Sequence, residues 1–232
     1  MIKAILFDFN GVIINDEPLQ MKAYQEVLAQ YEMSLSEAQY YSALGMDDRM
    51  FVRTAFERAG KELTDEIMMA VNRSKVEAHQ RLMADELPLF PGIETFLKAA
   101  SRSLQLGIVS MSNSEELRYV FGRTQLEALF SVIISAEDVN LCKPAPDCYL
   151  LALEKLNAKR RATRLLPLLP EECLVVEDSP PGIQSGRAAG MHTLGVTNTV
   201  SEVELRAAGA EVVTMYLSDW NVDAVHHVFS EG

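Results

Sequence analysis

Three acidic residues, a serine and a lysine stand where chemistry on an anion could be done. Asp8 ends the apolar run Ile2 to Phe7, and Gly11 then allows the chain to turn sharply. Ser110 follows the apolar run Leu106–Val109, and Glu177-Asp178 follow Cys173–Val176. In an open parallel sheet, ligands bind beyond the carboxyl ends of the strands. These groups therefore converge on one mouth if their strands are neighbours. Crowded carboxylates need a counter-charge, and a hard divalent cation with oxygen ligands is the simplest one. Lys143, in Cys142-Lys143-Pro144 before a helix, offers a second positive charge near a phosphate. Taken singly, Asp8 reads equally as a strand-end turn residue, Lys143 as a surface lysine and Glu177-Asp178-Ser179 as a helix N-cap. Their joint occurrence in order is what carries weight.

The elements that must hold these residues are legible as apolar runs. Ala4–Phe7, Leu106–Val109, Val132–Ile134, Cys173–Val176, Thr193–Val196 and, more weakly, Glu211–Val213 read as buried parallel strands. Helical segments alternate with the later ones, which argues for an α/β fold: a parallel sheet with helices on both faces. Between Asp16 and Leu87 no strand-like run occurs. Helices are expected there near Pro18–Tyr31, Ser36–Leu44, Asp48–Ala59 and Asp65–Asp85, with Ser34-x-x-Glu37 as a capping box and Thr64 as an N-cap. Pro18 and the stretch Pro88 to Gly92 bracket this insert. The expected organisation is a core of 1–15 and 88–232, split by a helical domain at 16–87.

The chain of 232 residues is long enough for such a core and a small accessory domain. A net charge of −12 argues against nucleic acid or an anionic membrane as the main partner, though not against small anionic substrates. Cys142, Cys148 and Cys173 have no metal-ligand spacing and suit a reducing compartment. No apolar run approaches a membrane span and no signal peptide is recognisable, so a cytoplasmic protein is expected.

Four segments, Asp8-Phe9-Asn10-Gly11-Val12, Ile108-Val109-Ser110, Lys143-Pro144-Ala145-Pro146-Asp147 and Val175-Val176-Glu177-Asp178-Ser179-Pro180-Pro181-Gly182-Ile183, carry a resemblance that spans essentially the whole chain. The sequence resembles the haloacid dehalogenase superfamily, in the group around β-phosphoglucomutase and small sugar-phosphate phosphatases. The resemblance implies a Rossmann-like core with an inserted helical cap. It implies that Asp8 is a nucleophile forming an aspartyl-phosphate, and that Ser110 and Lys143 hold phosphoryl oxygens. It places Mg²⁺ among Asp8, the main-chain carbonyl of Asn10, Asp178 and Glu177. Gly11, Ser112, Asn113, Gly45 and Arg49 are the expected substrate-contacting residues. Gly45 and Arg49 lie in Gly45-Met46-Asp47-Asp48-Arg49, which resembles the family's specificity loop. The expected partner is a small phosphorylated metabolite, and the expected state a monomer or weak homodimer.

Asn10 departs from the pattern. The common form has there an Asp that protonates the leaving oxygen and later activates water. An amide cannot exchange that proton, and such help is worth ~10²–10⁴-fold. Three readings follow: a phosphohydrolase of low activity, an enzyme with rearranged acid–base chemistry, or a weakened protein that binds phospho-ligands without turning them over. A phosphomutase is the main enzymatic alternative, favoured by Arg49 but disfavoured by Asn10 and by Gln20, where mutases often carry histidine. Lys75 reads as a solvated helix residue, His79 as a core or surface residue, and the basic stretch from Asn157 to Pro170 as a helix end followed by a surface loop.

Overall fold

The computed structural model describes residues 1–229, so residues 230–232 of the expected core lie outside the described part. Six strands, β1 Ala4–Phe7, β2 Gln105–Val109, β3 Phe130–Ile134, β4 Cys173–Glu177, β5 His192–Val196 and β6 Val212–Thr214, form one parallel sheet in the order β3-β2-β1-β4-β5-β6. Each coincides with an expected run to within two residues. Both faces of the inner strands β1, β2, β4 and β5 are covered, which is why these read as mostly apolar runs rather than alternating. Successive side chains of β1 enter opposite layers: Ile5 and Phe7 join one buried cluster with Ile108 and Val176, Ala4 and Leu6 another with Val109 and Val175.

Four helices lie between β1 and the next core helix: α1 Glu17–Ala29, α2 Glu37–Tyr41, α3 Asp48–Ala59 and α4 Asp65–Leu82. They bury a hydrophobic cluster of their own, including Tyr24, Leu28, Phe51, Val52, Phe56 and Val71. The two chain segments that join the insert to the sheet run side by side: Asn15 donates its amide to the Pro88 carbonyl at 2.7 Å and Phe90 to that of Ile13 at 3.1 Å. Thr64 caps α4 as expected, accepting from the Ile67 amide at 3.2 Å. The cap of α2 corrects the sequence reading. Ser36, not Ser34, is the N-cap: its hydroxyl accepts from the Gln39 amide while the Gln39 side chain returns to the Ser36 amide. A glutamine completes a capping box as well as a glutamate does, so two overlapping candidates stood in the sequence.

The remaining helices are α5 Ile93–Ala100, α6 Ser114–Gly122, α7 Asp147–Ala162, α8 Pro180–Ala188, α9 Glu202–Ala208 and α10 Val222–Phe229. The basic stretch is the end of α7 and the loop after it. Lys159 and Arg160 donate to the main-chain carbonyls of Ser131 and Leu166, at 2.5 and 2.6 Å, and Asn157 braces both backbone groups of Leu168. Among the described residues no helix is long and apolar enough to cross a membrane.

Candidate active site

The strand order makes β1 the neighbour of both β2 and β4, with Phe7 opposite Ile108 on one side and Val176 on the other. Asp8, Ser110 and Glu177-Asp178 therefore emerge together at the carboxyl edge. Gly11 follows with φ of +71°, and a Cβ there would lie 1.9 Å from Asp178 Oδ2. Only glycine permits both the left-handed backbone and this approach.

Lys143 is buried among the acids. Its ammonium lies 3.0 Å from Asp8 Oδ1 and 2.6 Å from Glu177 Oε1, and donates to the Val109 carbonyl at 3.0 Å. Burial disfavours this charge, but Asp8 and Glu177 outweigh it and hold the lysine protonated well above its ordinary range. Glu177 is fully buried and both its oxygens are engaged by protein donors, since Tyr149 donates to Oε1 at 2.7 Å and Ser179 to Oε2 at 3.2 Å. A Cβ at residue 182 would fall about 2 Å from this carboxylate, so Gly182 lets α8 start against it.

Asp178 differs from Glu177: its buried Oδ2 has no hydrogen-bond partner. Burial first, then Asp8 and Glu177, push its carboxyl far above the usual range. Burial and Glu177 likewise raise Asp8 to about 7, against the pull of Lys143. One oxygen from each of Asp8, Glu177 and Asp178 can be chosen so that all lie within 4.8 Å of one another. An orphaned carboxylate oxygen within an all-oxygen donor set fits a hard divalent cation, whose charge would relieve both shifts.

Asn10 is held from two sides. Its amide nitrogen donates to both oxygens of the buried Asp16, at 2.8 and 3.0 Å, and its carbonyl oxygen accepts from Ser112 Oγ at 2.7 Å and Ser110 Oγ at 3.4 Å. An aspartate at this position would present a carboxylate to another at hydrogen-bond distance with no donor between them. Asn10→Asp is thus expected to destabilise the fold by about 1–3 kcal/mol, and Asn10→Asp combined with Asp16→Asn to recover most of that. Urea unfolding of the single and double variants checks the cycle, and additive losses would remove the pair as the cause.

A cavity of about 90 Å³, partly open to solvent, lies between the sheet edge and the insert. Its floor includes Asp8, Asn10, Ser112, Lys143 and Asp178, and its roof Glu17, Tyr40, Gly45, Met46, Asp48 and Lys75. Ser110 sits behind this wall, fully buried, accepting from the Ser112 amide at 3.0 Å. Arg49 and Asn113 do not line the cavity. Both face an adjoining groove of about 820 Å³ that shares Asp48 and Met111 with it. Asn113 caps α6 and reaches Asp48 Oδ2 at 3.0 Å.

Lys75 corrects the sequence reading outright. It is 1% exposed, not solvated, and its ammonium lies 3.0 Å from Asp48 Oδ1 and 2.7 Å from Glu116 Oε1. His79, one turn on, spans Glu116 and Asp16 at 3.0 Å each. Burial opposes its charge, but the carboxylates of Asp16 and Glu116 outweigh burial and raise it from 6.5 to about 9. The stabilisation this gives is complete below pH 6.5 and is lost as pH rises through 9. The stability gap between wild type and His79→Gln is therefore expected to narrow from pH 6 to pH 9.5 in urea titrations. A constant gap would assign His79 to packing alone.

The sequence reading missed Asp16, Glu17, Glu116 and Tyr149. Asp16-Glu17 precede a proline and read as a helix start. Glu116 belongs to the acidic first turn of α6. Only the fold turns them inward.

Residues 5–196 match the family described as haloacid dehalogenase-like hydrolase. The chain is 27% identical to a phosphorylated carbohydrates phosphatase of Thermotoga maritima, over 90% of this chain and 92% of that one. It is 26% identical to the fructose-1-phosphate phosphatase of Escherichia coli K12, over 83% and 95%. A β-phosphoglucomutase structure from Clostridium difficile superposes with a TM-score of 0.85 at 21% identity, covering 100% of this chain and 98% of that one, and so shares the fold. With sheet order, acidic edge and buried lysine in agreement, this chain belongs to the haloacid dehalogenase-like hydrolases.

Proposed function

We propose that this protein is a Mg²⁺-dependent phosphatase of small phosphorylated carbohydrates, in which Asp8 is the nucleophile. The observation that carries the reading is the Asp8–Lys143–Glu177 constellation at 3.0 and 2.6 Å beneath a cavity at the sheet edge. An ionised carboxylate beside a fixed ammonium can attack a phosphorus whose oxygens the same ammonium steadies. The phosphatase names of the relatives from Thermotoga maritima and Escherichia coli support the substrate class. Asp8, Asp178 and the Asn10 carbonyl would hold Mg²⁺, with Glu177 beside it. When bound, such an ion neutralises charge on the transferring phosphoryl group. Ser112 and Ser110 fix the Asn10 side chain, and Lys143 keeps its charge because two carboxylates face it.

In this reading residues 16–87 are a cap that excludes water over the substrate, and 1–15 with 88–232 the catalytic core. The partner is a small metabolite, and the protein acts as a monomer or weak homodimer in the cytoplasm. Arg49, placed in the adjoining groove, meets only a substrate long enough to pass Asp48 and Met111.

The test is phosphate release from sugar monophosphates, nucleotides, acyl phosphates and phosphonates, with and without Mg²⁺. Release from sugar monophosphates is expected, falling to background in excess chelator. Metal-independent release, or release confined to another class, would sink the proposal.

A further inference from the structure

We propose that Glu17 is the general acid and base of this site, supplying the proton exchange that the Asn10 side chain cannot. The inference rests on the phosphatase reading and follows from an inventory of the cavity. Its titratable lining residues are Asp8, Glu17, Tyr24, Tyr40, Asp48, Lys75, Lys143 and Asp178.

Most of these are committed. Asp8 and Asp178 belong to the three-carboxylate cluster. Lys143 is fixed by Asp8 and Glu177, and Lys75 by Asp48 and Glu116. Asp48 is further engaged by Tyr24 and Asn113. Tyr24 and Tyr40 are poor acids here, because burial first, then Asp48 and Glu17 respectively, push their phenols well above 10. Glu17 alone is a cavity carboxyl outside the metal cluster and without a lysine partner.

Its surroundings suit the role. It opens α1, directly after the loop that carries Asp8 and Asn10, is half-buried, and lines the cavity. Tyr40 donates to Oε2 at 2.5 Å, which orients the carboxyl. The charged and titratable groups around it are Asp16 before it, Tyr40 and Tyr41 from α2, Lys75 and His79 from α4, and Asp178 at the sheet edge. Burial first, then Asp16, raise Glu17 to about 7, against Tyr40, Lys75 and His79. A group poised there both gives and takes a proton near neutrality.

The proton and electron traffic balances. As an Asp8 oxygen bonds to phosphorus, the ester P–O bond breaks. Its electron pair stays on the sugar oxygen, which takes the Glu17 proton. Water then bonds to phosphorus while a water proton passes to the Glu17 carboxylate. The bond between phosphorus and Asp8 breaks, and its electron pair returns to the aspartate. Inorganic phosphate leaves, and Glu17 is again protonated.

The experiment compares kcat/KM of wild type and Glu17→Gln on two esters in Mg²⁺. One is the sugar monophosphate turned over fastest, starting the search with fructose 1-phosphate. The other is p-nitrophenyl phosphate, whose leaving phenolate needs no proton. Glu17→Gln is expected to lower the sugar ester ~10²–10⁴-fold and the aryl ester less than about tenfold. In a second variant, Tyr40→Phe, loss of the hydrogen bond that holds the Glu17 pKa down should move the alkaline limb of the sugar-ester profile to higher pH. That shift tests the role even if Glu17→Gln fails to fold. Equal losses on both esters, an unchanged sugar-ester rate, an unmoved limb, or wild-type release from the aryl ester alone would each overturn the inference. Release from neither ester would overturn the phosphatase reading and the inference with it.

Discussion

Replacing Asp8 with asparagine is expected to cut Mg²⁺-dependent phosphate release to below about one-thousandth of the wild-type rate while leaving the protein folded. The two halves of this expectation have separate causes. Activity falls because an amide oxygen forms no stable phosphoryl-enzyme. The fold survives because Lys143 keeps Glu177 at 2.6 Å and the Val109 carbonyl at 3.0 Å, so no buried charge is orphaned. The change should even stabilise the metal-free protein at pH 8. Burial and Glu177 raise the Asp8 carboxyl from 3.8 to about 7, so its ionised form is disfavoured in the folded state above pH 3.8. Thermal melts in chelator should show an equal or higher midpoint for Asp8→Asn. Release that persists in the variant would remove Asp8 from the chemistry.

Glu116→Ala is the substitution with the largest expected effect on stability. Glu116 is the hub of the charges beneath the insert, bonded by Lys75, His79 and Asn113, and itself fully buried. Burial works against its charge, but Lys75 and His79 outweigh it and hold the carboxyl down near 2. Without it Lys75 keeps only Asp48, and His79 only Asp16. Breaking a buried pair from one side costs about 3–5 kcal/mol, a large share of the ~5–15 kcal/mol that holds an ordinary domain folded. Urea unfolding at pH 6 is the measurement. A loss below about 1 kcal/mol would mean that water already screens these charges in the folded protein.

The sheet was legible because its inner strands are buried on both faces and so announce themselves as apolar runs, while the half-exposed β6 gave the weakest signal. Ala4–Phe7 was found to the residue. The acidic edge followed from strand ends alone, since topology does the rest once β1 lies between β2 and β4. The helices between Asp16 and Leu87 were legible, but their charges were not. Lys75 reads like any lysine on a polar helix face, and its partner Glu116 lies 41 residues away on another element. Tyr149 could not be assigned for the same reason: it bonds Glu177 across 28 residues, and nothing local to α7 distinguishes it. Periodicity reports which face of an element is apolar. It does not report which charges that face will meet.

The contact between Asn10 and Asp16 has a consequence for how such sequences change and how they are sorted. Neither residue is free to drift alone: a carboxylate at 10 meets a like charge, and an apolar residue at 16 strands the amide and removes a counter-charge from His79. A variant that puts an acid at position 10 while Asp16 stays is expected to lose stability, so the two positions are best changed together. Judging this chain active or silent from residue 10 alone therefore reads half of a bonded pair, and on our proposal the missing acid stands across the cavity at Glu17.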